Sequence, residues 1–369
     1  MLFGGDANFA RVAFERAREL APFVVSARLV LDDCVFSERI RLEVAARVLS
    51  ARATTFAAGV LLRVRWAEIA LDEADFARAS TISYASTWRI DNDLQPACLL
   101  DDRHMQPDPQ PRLMTLCGAH ASSLSLANVD LRACRFFGAH GLESLSIEAS
   151  CRWPRTPARW GRLDRETIAE EHAFRGWHDP VTRPPAWLDG RDDTESLTAG
   201  QVAALYRALR KAREDDKDQA GAGDLYYGEM EMRRHDRSAA TSVVRADDDA
   251  DAEDERDGWR QANVAILSLY WLVSGYGLRP ARALLTLTIV ILIGAGVLSH
   301  SGFHNAHGDI QAHGYGRSLI FALESALSVL RPPKRAMSAG GELTQIALRL
   351  LGPLLFALAL LAIRARIKR

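Results

Sequence analysis

Four histidines lie close together near residue 300, where they are candidates for a metal site. They are His300, His304, His307 and His313, with Asp309 among them. His300 and His304 are four residues apart, so on a helix they would share one face and could hold Zn²⁺. Gly302 and Gly308 argue against a rigid site and favour a solvated loop of mild pH sensitivity. The four histidines are therefore weak metal candidates, and we expect no metal ion.

The run Glu170-Glu171-His172 has the side chains for general acid–base catalysis. No nucleophile or metal ligand lies nearby in sequence, so we expect a solvated helix face instead. The chain also lacks G-x-G-x-x-G, G-x-S-x-G, H-E-x-x-H and a P-loop. We therefore predict no catalytic residue and no cofactor. A membrane-associated enzyme without a recognisable cofactor motif stays open as an alternative.

Cysteine spacing and net charge exclude further classes of protein. The five cysteines are scattered without a C-x-x-C motif, which argues against a zinc knuckle, a thioredoxin-like site or a disulfide framework and fits a reducing compartment. The formal net charge is -1, so no overall field attracts nucleic acid, and none is expected as a partner. Charge is uneven along the chain: residues 246–257 are strongly acidic, and the last six residues include four basic ones.

A five-residue period organises residues 54–83 and, more weakly, 124–148. The third position of each pentad carries a large apolar side chain, which we predict to fill a repeat core: Phe56, Leu61, Trp66, Leu71, Phe76, Leu126, Leu131 and Phe136. Five matches neither the helical period of 3.6 nor the strand period of 2. It suits a square coil with one pentad per side, in which successive coils stack at roughly 4.8 Å through backbone hydrogen bonds.

The segments Ala7-Asn8-Phe9-Ala10-Arg11 and Ala74-Asp75-Phe76-Ala77-Arg78 resemble the pentapeptide-repeat family. The resemblance implies a right-handed quadrilateral β-helix over residues 1–150. Prolines between 84 and 120 break the period, so the helix is expected to be irregular or interrupted there. An ordinary antiparallel β domain with accidental spacing is the alternative.

The middle of the chain predicts helices and linkers. Residues 151–198 are rich in Trp and Pro and form a predicted linker with one helix at 163–175. Thr198 and Gln201 have the spacing of a capping box, which begins a helical hairpin over 199–237, with its second helix at 223–235. Residues 238–258 are acidic and lack aromatic side chains, which indicates a disordered tether.

Residues 259–369 have the pattern of a membrane domain. Two apolar runs, about 283–303 and 343–363, are long enough to span a bilayer. Residues 317–330 are too short to cross and predict a re-entrant or interfacial helix. An amphipathic lead-in helix precedes the first span. A buried helical hairpin in a soluble protein is the alternative to the two spans.

Flanking charge predicts the orientation of the spans. Basic residues precede the first span and follow the second, and no signal peptide is evident at the amino terminus. We therefore expect a multi-pass protein of the cell (inner or plasma) membrane with both termini in the cytoplasm. The short helix runs into Arg331-Pro332-Pro333, so the T-V-G-Y-G-like filter of potassium channels is absent.

Two charges interrupt the apolar segments, Glu324 in the short helix and Arg349 in the second span. Intramembrane charges are costly and usually paired. We predict that these two pair, within one chain or between subunits of a homo-oligomer. The alternative is that Arg349 reaches the nearer membrane interface on its own.

The order of repeats, helical hairpin and two-span tail resembles a group of membrane-anchored bacterial pentapeptide-repeat proteins, some with channel-like tails. The match covers 199–369 well and implies an architecture rather than an activity. We expect a scaffold that presents a cytosolic repeat domain to an unknown cytosolic protein, with the lipid bilayer as its second partner. A channel-like oligomeric pore without a potassium filter is the alternative.

Overall fold

The structure, a computed structural model, describes residues 1–90, 93–96, 108–157, 164–188, 197–236, 262, 264–301, 303–304, 310–311, 314–327 and 339–367. The chain divides into two compact units, Met1–Ala246 and Asp247–Arg369. We call the first the solenoid unit and the second the carboxyl-terminal unit. The acidic segment predicted as a tether, 238–258, lies outside the described residues.

The solenoid unit is a parallel β-solenoid of about six turns. Strands are numbered in chain order. The largest sheet has seven parallel strands, β1 (Leu2–Phe3), β4 (Glu19–Val25), β7 (Ile40–Ala45), β10 (Val60–Arg65), β12 (Ser80–Tyr84), β16 (Leu124–Ala127) and β17 (Ser146–Ile147). The second has five, β2 (Ala7–Asn8), β5 (Arg28–Val30), β8 (Val48–Ser50), β11 (Glu68–Ala70) and β15 (Arg112–Thr115). The third has three, β3 (Ala13–Phe14), β6 (Val35–Phe36) and β9 (Thr55–Phe56).

The strand register gives the length of one coil. Leu20 pairs with Leu42, and Val60 pairs with Ile40, so successive coils are offset by 22 or 20 residues. Twenty residues are four pentads, the number that a square coil needs. The step from β12 to β16 is longer, because Ser80 pairs with Leu124. The extra residues include an antiparallel hairpin, β13 (Thr87–Ile90) and β14 (Asp93–Pro96), and β15 then rejoins the second sheet. The interruption is thus shorter than the predicted 84–120.

A column of phenylalanine rings fills one side of the solenoid core. The stacked rings are Phe14, Phe36, Phe56 and Phe76, with centroids 4.6, 5.2 and 5.3 Å apart and interplanar angles of 10° or less. Parallel strands in register place equivalent positions above one another, so one side chain per coil repeats along the axis. The last three rings are buried. Their contacts stabilise the stack by dispersion and by removal of apolar area from water.

Most of the predicted repeat-core residues lie in this core, with two exceptions. Phe56, Leu71, Phe76, Leu126, Leu131 and Phe136 all belong to it. Leu61 is half-buried, and the inward position belongs to Leu62, because β10 alternates with a period of two. Trp66 is buried in a separate small cluster with Val24 and Ala45. Its backbone has a φ of 62°, so it ends the strand in a turn.

One corner of every coil is a turn with left-handed backbone. The residues in this column are Arg11, Asp33, Ala53, Glu73, Gly118 and Gly138. The amides of the first five donate along the solenoid axis; for example, the Asp33 amide donates to the Arg52 carbonyl at 2.8 Å. A positive φ is costly for residues other than glycine, so the axial hydrogen bonds must maintain this conformation in the first four coils.

Helices close the carboxyl end of the solenoid. They are α1 (Ala169–Phe174), α2 (Ala199–Asp215) and α3 (Gln219–His235). Tyr206, Leu209 and Leu225 belong to the same buried core as the last coils. The hairpin therefore acts as a cap, which solenoids need because their last coil otherwise exposes apolar area and unpaired backbone groups.

The local helix signals in this cap are mostly as expected. Thr198 caps α2, and its capping box with Gln201 is confirmed. Helix α3 begins at Gln219, earlier than the predicted 223, because Asp218 accepts a hydrogen bond from the Gly221 amide. Helix α1 is shorter than the predicted 163–175. Within the Trp- and Pro-rich segment, Trp187 donates to Glu68 of β11 at 2.6 Å, so this part packs on the solenoid.

The carboxyl-terminal unit is helical. It contains α4 (Val264–Ser274), α5 (Pro280–Ser301), α6 (Tyr315–Leu327) and α7 (Ala339–Ile367), and a short antiparallel pair, β18 (Phe303–His304) and β19 (Ile310–Gln311). Helices α5 and α7 are long and apolar enough to span a membrane. The short α6 packs on both, with Phe321, Ala322 and Ala326 in their shared core.

Candidate functional site

The three residues of the possible acid–base run lie on α1 and are all buried. The predicted solvated helix face is therefore wrong. Helix α1 packs between the last coil and α2, so the side chains that it presents are removed from water. Burial of two carboxylates is costly unless hydrogen bonds and counter-charges compensate, and the two glutamates differ in how far this is achieved.

Glu171 is fully compensated. Arg165, itself 3% exposed, binds both carboxylate oxygens at 2.6 Å, and the Arg175 Nε donates to Oε1 at 2.7 Å. The Tyr206 hydroxyl donates to Oε2 and accepts a hydrogen bond from the Ile168 amide at 3.1 Å. Burial raises the pKa of Glu171, but the two arginines outweigh it and hold the pKa below its usual value. This network joins α1, α2 and the segment before α1.

Glu170 is only partly compensated. One carboxylate oxygen accepts a hydrogen bond from the Phe136 amide of the last coils, while Oε2 is buried without a hydrogen-bond partner among the described residues. Burial raises the pKa of Glu170 to about 7, although the Phe136 amide and Arg135 oppose the shift. The side chain replaces the carbonyl that a further coil would offer to Phe136, so it caps the backbone ladder.

A cleft of about 770 Å³ lies beside α1. Its lining includes Arg135, His172, Trp177, His178, Asp179 and Arg183. His172 contacts the Thr167 hydroxyl at 2.9 Å and the Thr182 hydroxyl at 3.5 Å, and its ring meets Trp177 edge-on. Burial lowers the pKa of His172, which favours the neutral ring. Both ring nitrogens are occupied by hydroxyls, so the arrangement indicates a positioned structural histidine rather than a general base.

The four described cysteines of the solenoid unit have thiols whose pKa is raised. Cys34, Cys117, Cys134 and Cys151 are free thiols. Burial raises the pKa of Cys117 and of Cys151 to about 11, so at neutral pH both are protonated and poorly nucleophilic. Cys98 lies outside the described residues. Among the residues that are described, no group of three or more His, Cys, Asp or Glu side chains is arranged to hold a metal ion.

The histidine-rich loop does not provide the helical pair that the spacing allowed. Helix α5 ends at Ser301, so His300 occupies its last turn, whereas His304 lies in β18. The two residues are therefore not one turn apart on a helix. His307 and His313 lie outside the described residues.

The two charges that the sequence predicts to lie within the membrane, Glu324 and Arg349, belong to the same unit and to different helices. Glu324 is exposed on α6, and Arg349 is half-buried on α7, one turn before Pro353. Their pairing, within one chain or between subunits, stays a prediction.

Comparison of the chain with protein families, curated proteins and solved structures finds no match. The class of this protein is therefore defined by its own fold and by the arrangement of its side chains. The chain is a helix-capped parallel β-solenoid followed by a unit with two candidate membrane-spanning helices.

Proposed function

We propose that this protein is a membrane-anchored scaffold. Its solenoid unit presents flat β faces to a cytosolic protein partner, and α5 and α7 fix it in the lipid bilayer. We further propose that the coils are square, with one pentapeptide per side, as in the bacterial pentapeptide-repeat proteins that the sequence resembles. The 20-residue register supports this cross-section.

The observation that carries the proposal is the exposure of α5 and α7. Only 33% and 28% of their most apolar stretches are buried. Core helices of soluble proteins are mostly buried, and large exposed apolar surfaces mark lipid or protein contacts. A lipid bilayer would cover the exposed apolar side chains of both helices.

The proposed location is the cell inner membrane, in a multi-pass arrangement with both termini in the cytoplasm. Arg279 and Arg282 before α5 and Arg364 near the end of α7 support this orientation, because basic residues are retained on the cytoplasmic side. The orientation can be measured with reporter fusions at each terminus and with labelling of single cysteines introduced into the 302–314 loop. Labelling of that loop from the cytoplasmic side would contradict the orientation.

Detergent-phase partitioning tests the anchor. The full chain should enter the detergent phase and resist alkaline extraction from membranes, whereas residues 1–236 should remain in the aqueous phase. The short fragment is a fair control because its core cluster is composed only of residues from Ala7 to Met232. A full chain that stays monodisperse in plain buffer would refute the anchor. Affinity capture with and without residues 1–150 then tests whether the repeats hold a cytosolic protein.

We also propose that the carboxyl-terminal unit forms a homo-oligomer through Glu324 and Arg349. Glu324→Arg alone should abolish assembly, and addition of Arg349→Glu should restore it, because the charges are then exchanged. Glu342→Arg, at the exposed start of α7, is the matched control and should leave assembly intact. Failure of the double variant to assemble would exclude the pair.

A channel-like pore is the second candidate, and α6 favours it. This short helix packs against two longer ones, and its exposed residues Arg317 and Glu324 are two turns apart on the same face. Such a face could line an aqueous path if α6 is re-entrant. Ion flux in liposomes that contain the purified chain separates the two functions, since a non-conducting oligomer favours the scaffold.

A further inference from the structure

The helical hairpin carries a group of charges in which arginines outnumber carboxylates. Glu229 on α3 is 1% exposed and contacts three guanidinium groups. The Nε atoms of Arg207 and Arg210 lie 3.2 and 3.1 Å from its two oxygens, and the Arg233 Nη2 lies 2.5 Å from the oxygen that Arg207 contacts. Three positive charges therefore converge on a single buried negative charge.

Two of these arginines keep most of their donors for another ligand. Arg207 uses only Nε, so within the described part of the chain both of its terminal amino groups lack a partner. Among the described residues, the Arg233 side chain contacts Glu229 through Nη2 and has no other polar partner. Their side chains are 60% and 38% exposed, whereas Arg210 is also bound to Glu214 at 2.8 Å. Lys211, one turn after Arg207 on α2, adds a further exposed cation.

The shared oxygen of Glu229 fixes the two open guanidinium groups side by side. Guanidinium groups present a planar fork of donors that matches the oxygens of a phosphate, and prior fixing of the fork reduces the entropy lost on binding. The chemistry of the face therefore selects an oxyanion with several acceptor oxygens.

We infer that Arg207 and Arg233 form a phosphate-binding site on the hairpin, with Glu229 as its positioning residue. The phosphate is either the headgroup of an anionic phospholipid or a soluble phosphate. The inference goes beyond the proposed scaffold function and does not depend on it, because the site lies wholly within the solenoid unit.

The experiment uses residues 1–236, whose core is complete without the carboxyl-terminal unit. One arm measures co-sedimentation with vesicles of phosphatidylcholine that contain about 30 mol% phosphatidylglycerol, and with vesicles of pure phosphatidylcholine, at low salt. The other arm titrates inorganic phosphate and follows the arginine side-chain signals by NMR. We expect binding in at least one arm, and no binding to the neutral vesicles.

Arg207→Gln combined with Arg233→Gln should weaken that binding about 30-fold, which corresponds to the usual contribution of two basic residues at an anionic surface. The matched control is Arg16→Gln with Arg39→Gln, which removes the same charge from exposed arginines of the solenoid. The control should weaken binding less than about threefold, because salt screens exposed charges that lie away from the site. Circular dichroism checks that each variant is folded.

Glu229→Gln distinguishes an organised site from a merely basic surface. A diffuse field predicts tighter binding, because the net charge rises by one, whereas an organised pair predicts weaker binding. Weaker binding of a folded Glu229→Gln variant supports the site. The site is refuted by tighter binding of that variant, by equal losses in the two double variants, or by no binding in either arm.

Discussion

The two units of this protein bury their apolar side chains to very different extents. Among the described residues, four large hydrophobic side chains are exposed in the solenoid unit and twenty-two in the carboxyl-terminal unit. The solenoid unit instead buries charge, as in the Glu171 network. The contrast shows that the two units meet their surroundings with different surfaces, and it supports the proposal that lipid surrounds the helices of the second unit.

The largest expected effect compares one side chain from each unit. Phe56→Ala removes a buried ring from the middle of the stack and should cost about 3–5 kcal/mol of unfolding free energy. Leu350→Ala, on an exposed position of α7, should change the stability by less than about 0.5 kcal/mol. Thermal unfolding of the full chain in detergent measures both. Similar losses would show that α7 is packed against protein.

A second comparison concerns the buried charge in the solenoid unit. The pKa of Glu170 rises from 4.5 to about 7 on folding, so the folded state binds its proton more tightly than the unfolded state. Stability should therefore fall as pH rises from about 4.5 to 7, by up to about 3 kcal/mol, and should then level off. Glu170→Gln keeps an acceptor for the Phe136 amide and should remove this dependence.

Denaturant unfolding of residues 1–236 at several pH values measures the effect of that substitution. Arg135, Cys117 and Cys134 face Glu170, and the two thiols remain protonated throughout this range. A parallel pH dependence in wild type and Glu170→Gln would rule out Glu170 as its source.

A third test concerns helix contacts in the carboxyl-terminal unit. A Cβ at Gly352 would lie 2.4 Å from the Ala326 carbonyl oxygen, whereas a Cβ at Gly296 would have no atom within 4 Å. Gly352→Ala should therefore separate α6 from α7 and cost about 1–3 kcal/mol. Gly296→Ala should be neutral or slightly stabilising. Thermal denaturation in detergent measures both, and equal effects would contradict the close packing of α6 on α7.

The smallest expected effect is at the start of the solenoid cap. Thr198→Ala removes the side-chain acceptor of the Gln201 amide and should cost about 1 kcal/mol. Thr198→Asp preserves an acceptor and should retain most of the stability. Denaturant unfolding of residues 1–236 compares the two variants. An unchanged midpoint for Thr198→Ala would mean that the cap is not coupled to global unfolding.

Periodic features were predictable from sequence, and contacts between distant residues were not. The five-residue period indicated the inward positions of Phe56 and Phe76, because identical coils repeat identical environments. It misplaced Leu61, since within the longer strand β10 the alternation of two residues replaces the period of five. The two apolar helices followed from length and composition alone.

The buried site could not be found in the same way. Glu171 is compensated by Arg165 and Arg175, which are six and four residues away, but also by Tyr206, 35 residues distant. An acidic pair flanked by two arginines was a partial signal of mutual neutralisation. Only the packing of α2 against α1 reveals that the network is dry, because solvent exposure depends on elements that are remote in sequence.

The axial direction of the solenoid hydrogen bonds determines how the protein would respond to mechanical tension. Bonds from one coil to the next are arranged in series along the axis, so a force that separates the two ends acts on one interface at a time. Each coil that detaches would release about 20 residues, or roughly 70 Å of extended chain. The solenoid would therefore extend one coil at a time, in steps of similar length except for a longer step from β12 to β16.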